Sequence, residues 1–372
     1  MGLNLIFLVP GETGGMEVYA RELIPALLAE APPQMRFTAF VNREAASLGG
    51  PWGELLPTVT VSVKARSRVQ WVLGEQTQLP FLAARAGVDL MHSLASTAPL
   101  WGRFRRVLTV HDLIYARLPE AHSGVRDKGM KLLVPWGVRR SDRVIADSTS
   151  TKRDLVELLG TTAARIDVVP LGIGAISRVA PLGEAELRER FALGERQVLL
   201  ALSAKRPHKN LAALLEACAL LERRPILILG GYPTAHELEL RERAQALGIA
   251  DDVRWPGWLD QPEVEGLWRL SAGFVFPSLY EGFGLPVLEA MARGVAVACS
   301  TAAALPEVAG DAALLFDPDD RRAIADAMTQ LLAGGEAIER LRAAGLQRAS
   351  QFTWERAASL TLDCYARATA GS

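Results

Sequence analysis

Cysteine is scarce in this chain. Its 372 residues include three, Cys218, Cys299 and Cys364, far apart and odd in number. No CxxC or other ligand spacing links them. That argues against a disulfide framework and a cysteine-built metal site, and favours a reducing, cytoplasmic setting. A charge excess is also missing: 41 basic residues face 42 acidic ones. General nucleic-acid binders carry a basic surplus, so no nucleic-acid partner is expected. No apolar run approaches the ~20 residues of a membrane span. The opening "MGLNLIFLVPGETGG" starts apolar but has no basic leader and breaks at Pro10. It reads as a first strand, not a signal peptide. Ile6 stands where N-myristoylation would need Ser or Thr. No fixed-period repeat or low-complexity tract occurs.

What is present is an alternation. Short apolar runs ("LNLIFLV", "RFTAFV", "VDLMHS", "RVLTV", "RVIAD") are separated by amphipathic stretches. This is the pattern of a parallel α/β sheet covered on both faces. A Gly- and Pro-rich stretch, "LGIGAISRVAPLG", follows Pro170, and a second series begins with "QVLLALS", "PILILGG", "DVRW", "GFVFP", "VAVAC" and "ALLF". Between these, Leu211, Leu214, Leu215, Cys218 and Leu221 share one helical face. The expected organisation is a Rossmann-like domain over 1–173, a linker over 174–181 and a second Rossmann-like domain over 182–353. A last helix over 354–372 is expected to return to the first domain. In such sheets ligands bind beyond the carboxyl ends of the strands, so the loops there carry the chemistry.

One loop stands out: "FPSLYEGFGLPVLEAMARGVAVACS", Phe276 to Ser300. Pro286 suits a helix start and Gly294 the position just past its end. That places Glu281 in a loop whose Gly282 and Gly284 allow close backbone approach. It places Glu289 in the first helical turn. The amides near Phe283, Gly284 and Leu285 lie at a helix N-terminus, a natural anion site. Two carboxylates beside an anion site suit a molecule bearing both hydroxyls and phosphate, such as a nucleotide sugar. A favourable surface Glu near a helix cap is the plainer reading of Glu289 alone.

"EGFGLPVLE", with seven residues between Glu281 and Glu289, resembles the E-x7-E signature of retaining group 1 glycosyltransferases of the GT-B fold. So do, in order, "GGMEVYA", "TVHDLIY", "ADSTSTKRDL", "KRPHKN", "LPEVAGDAALLFDP" and "FTW". The resemblance implies an α/β GT-B fold, two Rossmann-like doubly wound domains facing a central cleft. It implies a hexosyltransferase moving sugar with retention from a nucleotide-sugar donor to a glycan, lipid-linked or small-molecule acceptor. Glu281 would lie against the donor sugar and Glu289 would bind the ribose. His111, after a strand, would reach the donor sugar; a lone His there is otherwise a structural hydrogen-bonder. His92, also after a strand, is a weaker candidate. Lys209 matches the family's basic residue for the diphosphate. Its usual Arg partner is replaced by Ala204, so Lys205 is the expected substitute, with a solvated basic loop as the alternative. Gly14 and Gly15 would approach donor phosphate and acceptor, on a helix bearing Val18, Leu23 and Leu27 that Pro25 is expected to kink or end.

No metal and no cofactor are expected. "DPDD" at Asp317–Asp320 looks like a metal-binding DxD, but the Pro and the helical pattern after it suit a turn and N-cap. Lys64, Arg66, Arg68 and Trp71 form a basic-aromatic cluster that suits a solvated face or peripheral contact with an anionic membrane. Three rival functions exist. A nucleotide-sugar epimerase can share the fold. A dehydrogenase needs a GxGxxG that is not found. A noncatalytic nucleotide-sugar binder would not need the intact Glu281 and Glu289.

Overall fold

Residues 1–119, 125–174 and 179–370 are described by a computed structural model. Residues 175–178 of the expected linker lie outside them. Contacts divide the chain into two compact units. One holds the residues up to Gly174 and those from Phe352 onward; the other holds the stretch between.

The first unit is built on seven strands: β1 (Gly2–Leu5), β2 (Thr38–Val41), β3 (Thr58–Thr60), β4 (Leu90–Ser93), β5 (Arg105–Val110), β6 (Arg143–Ala146) and β7 (Ile166–Val168). All pair in parallel, in the order β3-β2-β1-β4-β5-β6-β7. The central strands β1 and β4 are buried throughout, as helices on both faces require. The order reverses between β1 and β4, which opens a crevice at their carboxyl ends. The tail forms one helix, Trp354–Ala370, packed on the helix Gly15–Glu30 and on β5 and β6.

The second unit repeats the plan with β8 (Val198–Leu202), β9 (Ile226–Gly230), β10 (Val253–Gly257), β11 (Gly273–Phe276), β12 (Val297–Ser300) and β13 (Leu314–Phe316). Their parallel order is β10-β9-β8-β11-β12-β13, so the reversal falls between β8 and β11. Leu211, Leu214, Leu215, Cys218 and Leu221 all enter its core. Burial of each large apolar side chain there contributes roughly 1.5–3 kcal/mol.

The helix Gly15–Glu30 does not end at Pro25 but continues to Glu30. Leu23, Ile24 and Leu27, all fully buried, hold the turns on both sides of the proline against the core. Val18, on the same helix, is 39% exposed. The three cysteines are free and buried. Among the described residues no helix is long and apolar enough to cross a membrane.

Candidate active site

In the second unit, the loops leaving β8 and β11 flank the strand-order reversal. A 3-10 turn over Pro207–Lys209 ends at Asn210 in the left-handed region, φ 55°, whose side-chain amide donates to the Pro318 carbonyl. The loops are tied together when Leu279 N donates to the His208 carbonyl at 2.8 Å. They meet again through side chains: Lys209 Nζ lies 2.6 Å from Glu281 Oε1 and 5.2 Å from the centre of the Phe276 ring. Both partners of this ion pair are about six-sevenths buried, with side-chain exposures of 15% and 14%. Removing one would leave the other a buried, unbalanced charge.

Gly284 follows at φ +117°, and a Cβ there would come within 2.7 Å of Leu305 Cδ2. The residue must therefore be Gly for two reasons, backbone angle and space. It opens the helix Leu285–Ala292, with Pro286 in the first turn and Gly294 in the left-handed region just after it. Glu289, expected in the first turn, is the fifth residue of the helix and so lies in its second turn. The N-terminal end of the helix dipole acts on it less than expected. Burial pushes its carboxyl above the usual range, Arg293 pulls it down and Glu265 pushes it up. Arg293 is itself fixed: Nη2 and Nε donate to Glu265 Oε1 and Oε2 at 2.6 and 2.9 Å, and Nη1 donates to the Glu289 carbonyl at 3.0 Å.

Lys205 is not brought to this cluster. Its ammonium is wholly buried, donates to the Gly231 carbonyl at 2.7 Å and lies 3.6 Å from Glu237. Burial lowers its pKa, partly countered by Glu237. It ties the loop after β8 to the loop after β9, where Gly231 at φ +119° approaches the Ser203 carbonyl so closely that a Cβ would stand 2.3 Å from it. Arg206 is exposed. The Asp317 carboxylate accepts from Asp319 N, and Asp320 caps the helix Arg321–Ala333, so the acidic run forms a turn and a cap.

In the first unit, Gly14 at φ +67° caps the helix that Gly15 begins. The turn also contains a carboxylate: Glu17 accepts from Gly11 N at 2.7 Å and from Arg21 Nε at 2.8 Å. His111 follows β5. Its Nδ1 is 2.7 Å from Asp147 Oδ2, its Nε2 is 2.8 Å from the Leu94 carbonyl, and the Tyr19 ring meets it edge-on at 4.9 Å. His92 is fully buried between the Tyr365 hydroxyl at 2.7 Å and the Thr109 hydroxyl at 2.8 Å, a structural role. Arg66 pairs with Glu12 and Trp71 packs partly into the core, so one cation of the basic-aromatic cluster is paired and its aromatic ring is partly covered.

Asp147, Glu265 and Arg293 were not legible as site residues. Asp147 had a signal, an acid one residue past β6. Glu265 and Arg293 had none beyond an ordinary helical charge pattern.

Known proteins resemble both halves. Residues 13–175 match the family described as Glycosyltransferase Family 4, and residues 184–348 match Glycosyl transferases group 1. The O-antigen chain mannosyltransferase B of Escherichia coli is 33% identical over 70% of this chain and 70% of its own. The GDP-mannose-dependent alpha-(1-6)-phosphatidylinositol monomannoside mannosyltransferase of Mycobacterium tuberculosis (strain ATCC 25618 / H37Rv) is 28% identical over 95% of each chain. In fold, the sucrose-phosphate synthase of Thermosynechococcus elongatus superposes with a TM-score of 0.79 at 21% identity, covering 100% of this chain and 99% of that one. The two parallel sheets, the motif order and these matches agree: the chain belongs to the group 1 glycosyltransferases, GT-B enzymes that transfer a hexosyl unit from a nucleotide sugar to an acceptor.

Proposed function

We propose that this enzyme transfers mannose from GDP-mannose to a glycan acceptor, with retention at the anomeric carbon and without a metal ion. The choice of mannose follows from the two mannosyltransferase relatives. The observation that carries the mechanism is the Lys209–Glu281 pair beside the start of the helix Leu285–Ala292.

The leaving group is a nucleoside diphosphate, and the transition state needs positive charge where negative charge grows on its phosphate. Lys209 supplies a fixed ammonium, and the helix N-terminus at Gly284 and Leu285 adds backbone dipole. Neither must move at the moment of bond breaking. Glu281, held by Lys209, presents its other oxygen to the sugar hydroxyls. Glu289, anchored near Arg293, accepts from the ribose hydroxyls. Lys205 supports the loop that carries Lys209 and does not itself touch the diphosphate. Retention follows if the acceptor attacks on the face that the phosphate leaves, with that phosphate taking the acceptor proton. Glu281 then needs no nucleophilic role.

The first unit also exposes Leu132 and Trp136, one turn apart on the helix Val125–Arg140, beside Lys131, Arg139 and Arg140. This stripe joins exposed apolar and basic side chains on one helix and suits peripheral contact with an anionic membrane.

The test is thermal stabilisation by GDP-mannose, UDP-glucose, UDP-N-acetylglucosamine, dTDP-rhamnose and NAD, each with and without EDTA, followed by transfer assays and anomeric analysis by NMR. Stabilisation by GDP-mannose that EDTA leaves unchanged supports the reading. Stabilisation only by another nucleotide, or only with a metal, refutes the donor or the metal independence.

A further inference from the structure

His111 sits between two acceptors, the Asp147 carboxylate at 2.7 Å and the Leu94 carbonyl at 2.8 Å. A neutral imidazole has one N–H. A neutral ring would therefore set a bare nitrogen against one of these oxygens at hydrogen-bond distance. Only the imidazolium can donate to both.

The groups around the ring agree. Asp147 faces it from the end of β6 and Asp112 adjoins it in the chain. Tyr19 meets it from the helix Gly15–Glu30, and Thr151, from the helix Thr149–Leu159, donates to its backbone carbonyl. His92, on β4, is held uncharged by burial, its pKa lowered to about 3. Burial pulls the His111 pKa down, but the charge and hydrogen bond of Asp147, the Leu94 carbonyl and Asp112 together leave it above the ordinary value. Asp147 is 2% exposed, and its other oxygen, Oδ1, is buried with no hydrogen-bond partner among the described residues.

We propose that Asp147 is a positioning residue that keeps His111 protonated on both nitrogens, so that His111 serves the transfer as a hydrogen-bond donor and never as a base. The charge on the ring is balanced locally by Asp147. The Nε2–H now spent on the Leu94 carbonyl can be turned to a substrate oxygen, because a doubly protonated ring always presents a donor there. The protonation state stands on the contacts alone; the role in transfer rests on the function proposed above.

The experiment is a side-chain 15N NMR titration of the full chain, with the His111 signals identified by their loss in His111→Gln. In the wild type, both ring nitrogens are expected to stay protonated at pH 7, with a midpoint above the ordinary ~6.5. Asp147→Asn keeps an acceptor and removes the charge. It should lower that midpoint by at least about one unit. Its kcat should fall at least about tenfold near pH 8, recovering toward pH 6, while KM for GDP-mannose changes by less than about threefold. Asp147→Glu should restore part of both. A wild-type ring neutral at pH 7, or an Asp147→Asn midpoint equal to the wild type, overturns the proposal. If Asp147→Asn does not fold, the wild-type titration still decides. If GDP-mannose neither binds nor reacts, the donor reading fails while the ring titration stands or falls separately.

Discussion

Lys209 and Glu281 stand 72 residues apart in sequence and 2.6 Å apart in space. The pair is mostly buried, so each residue depends on the other. Lys209→Ala should lower kcat by about 100-fold or more, the usual scale for losing a preorganised charge opposite a developing anion. Glu281→Gln keeps the shape and removes the charge. Steady-state kinetics with the donor varied reads both. Near-full activity in Glu281→Gln would remove Glu281 from any essential role.

Gly284 opens the helix Leu285–Ala292 at φ +117°. Gly284→Ala forces a methyl group toward Leu305 and an L-residue into φ +117°. The cost should be about 1–3 kcal/mol, with the loop displaced. Calorimetry should show a lowered Tm and loss of most of the stabilisation given by the donor. An unchanged donor response would mean that the loop does not touch it.

Glu75 is fully buried in the first unit and receives hydrogen bonds from Asn4, Thr97 and Gln76. Burial raises its pKa to about 7, against the effect of those bonds. The folded state thus holds a proton that the unfolded state releases near pH 4.5. This residue's contribution to stability is full below that value and is lost as pH rises through about 7. Glu75→Gln should remove this dependence, gaining on the wild type by on the order of 2 kcal/mol between pH 5 and pH 8. Parallel stability curves for the two proteins would contradict the buried carboxyl's role.

Tyr365 donates to or accepts from His92 at 2.7 Å inside the core. Tyr365→Phe leaves a ring nitrogen of His92 unpaired and should cost about 1–3 kcal/mol. Chemical denaturation checks this. A loss below about 0.5 kcal/mol would mean that water or another group replaces the hydroxyl.

The features readable in sequence are those fixed by neighbours along the chain. Pro286, Gly284 and Gly294 set the helix Leu285–Ala292 through local backbone preferences, and the 3.6-residue period placed Leu211, Leu214 and Leu215 in the core. Lys205 is drawn to the Gly231 carbonyl, 26 residues on, and nothing in "AKRPHKN" carries that information. The His111–Asp147 contact spans 36 residues and two strands. Pro25 signalled a kink or an end, and tertiary packing overrides the end. The Glu289 error was one of helix start: the helix begins at Leu285, one residue before Pro286, which moves Glu289 from the fourth position to the fifth.

The helix Trp354–Ala370 follows the second unit in the chain, yet it packs into the first. Tyr365 meets His92 across 273 residues, so that contact cannot form before the second unit has been translated. The second unit, continuous in sequence, is available to fold while the first still lacks a wall of its core. A chain cut short by a premature stop would carry an intact second sheet beside an unfinished first one, with the faces of Tyr19 and His92 uncovered. The returning helix is therefore what closes the first core, and a chain that lacks it keeps an apolar face open to aggregation.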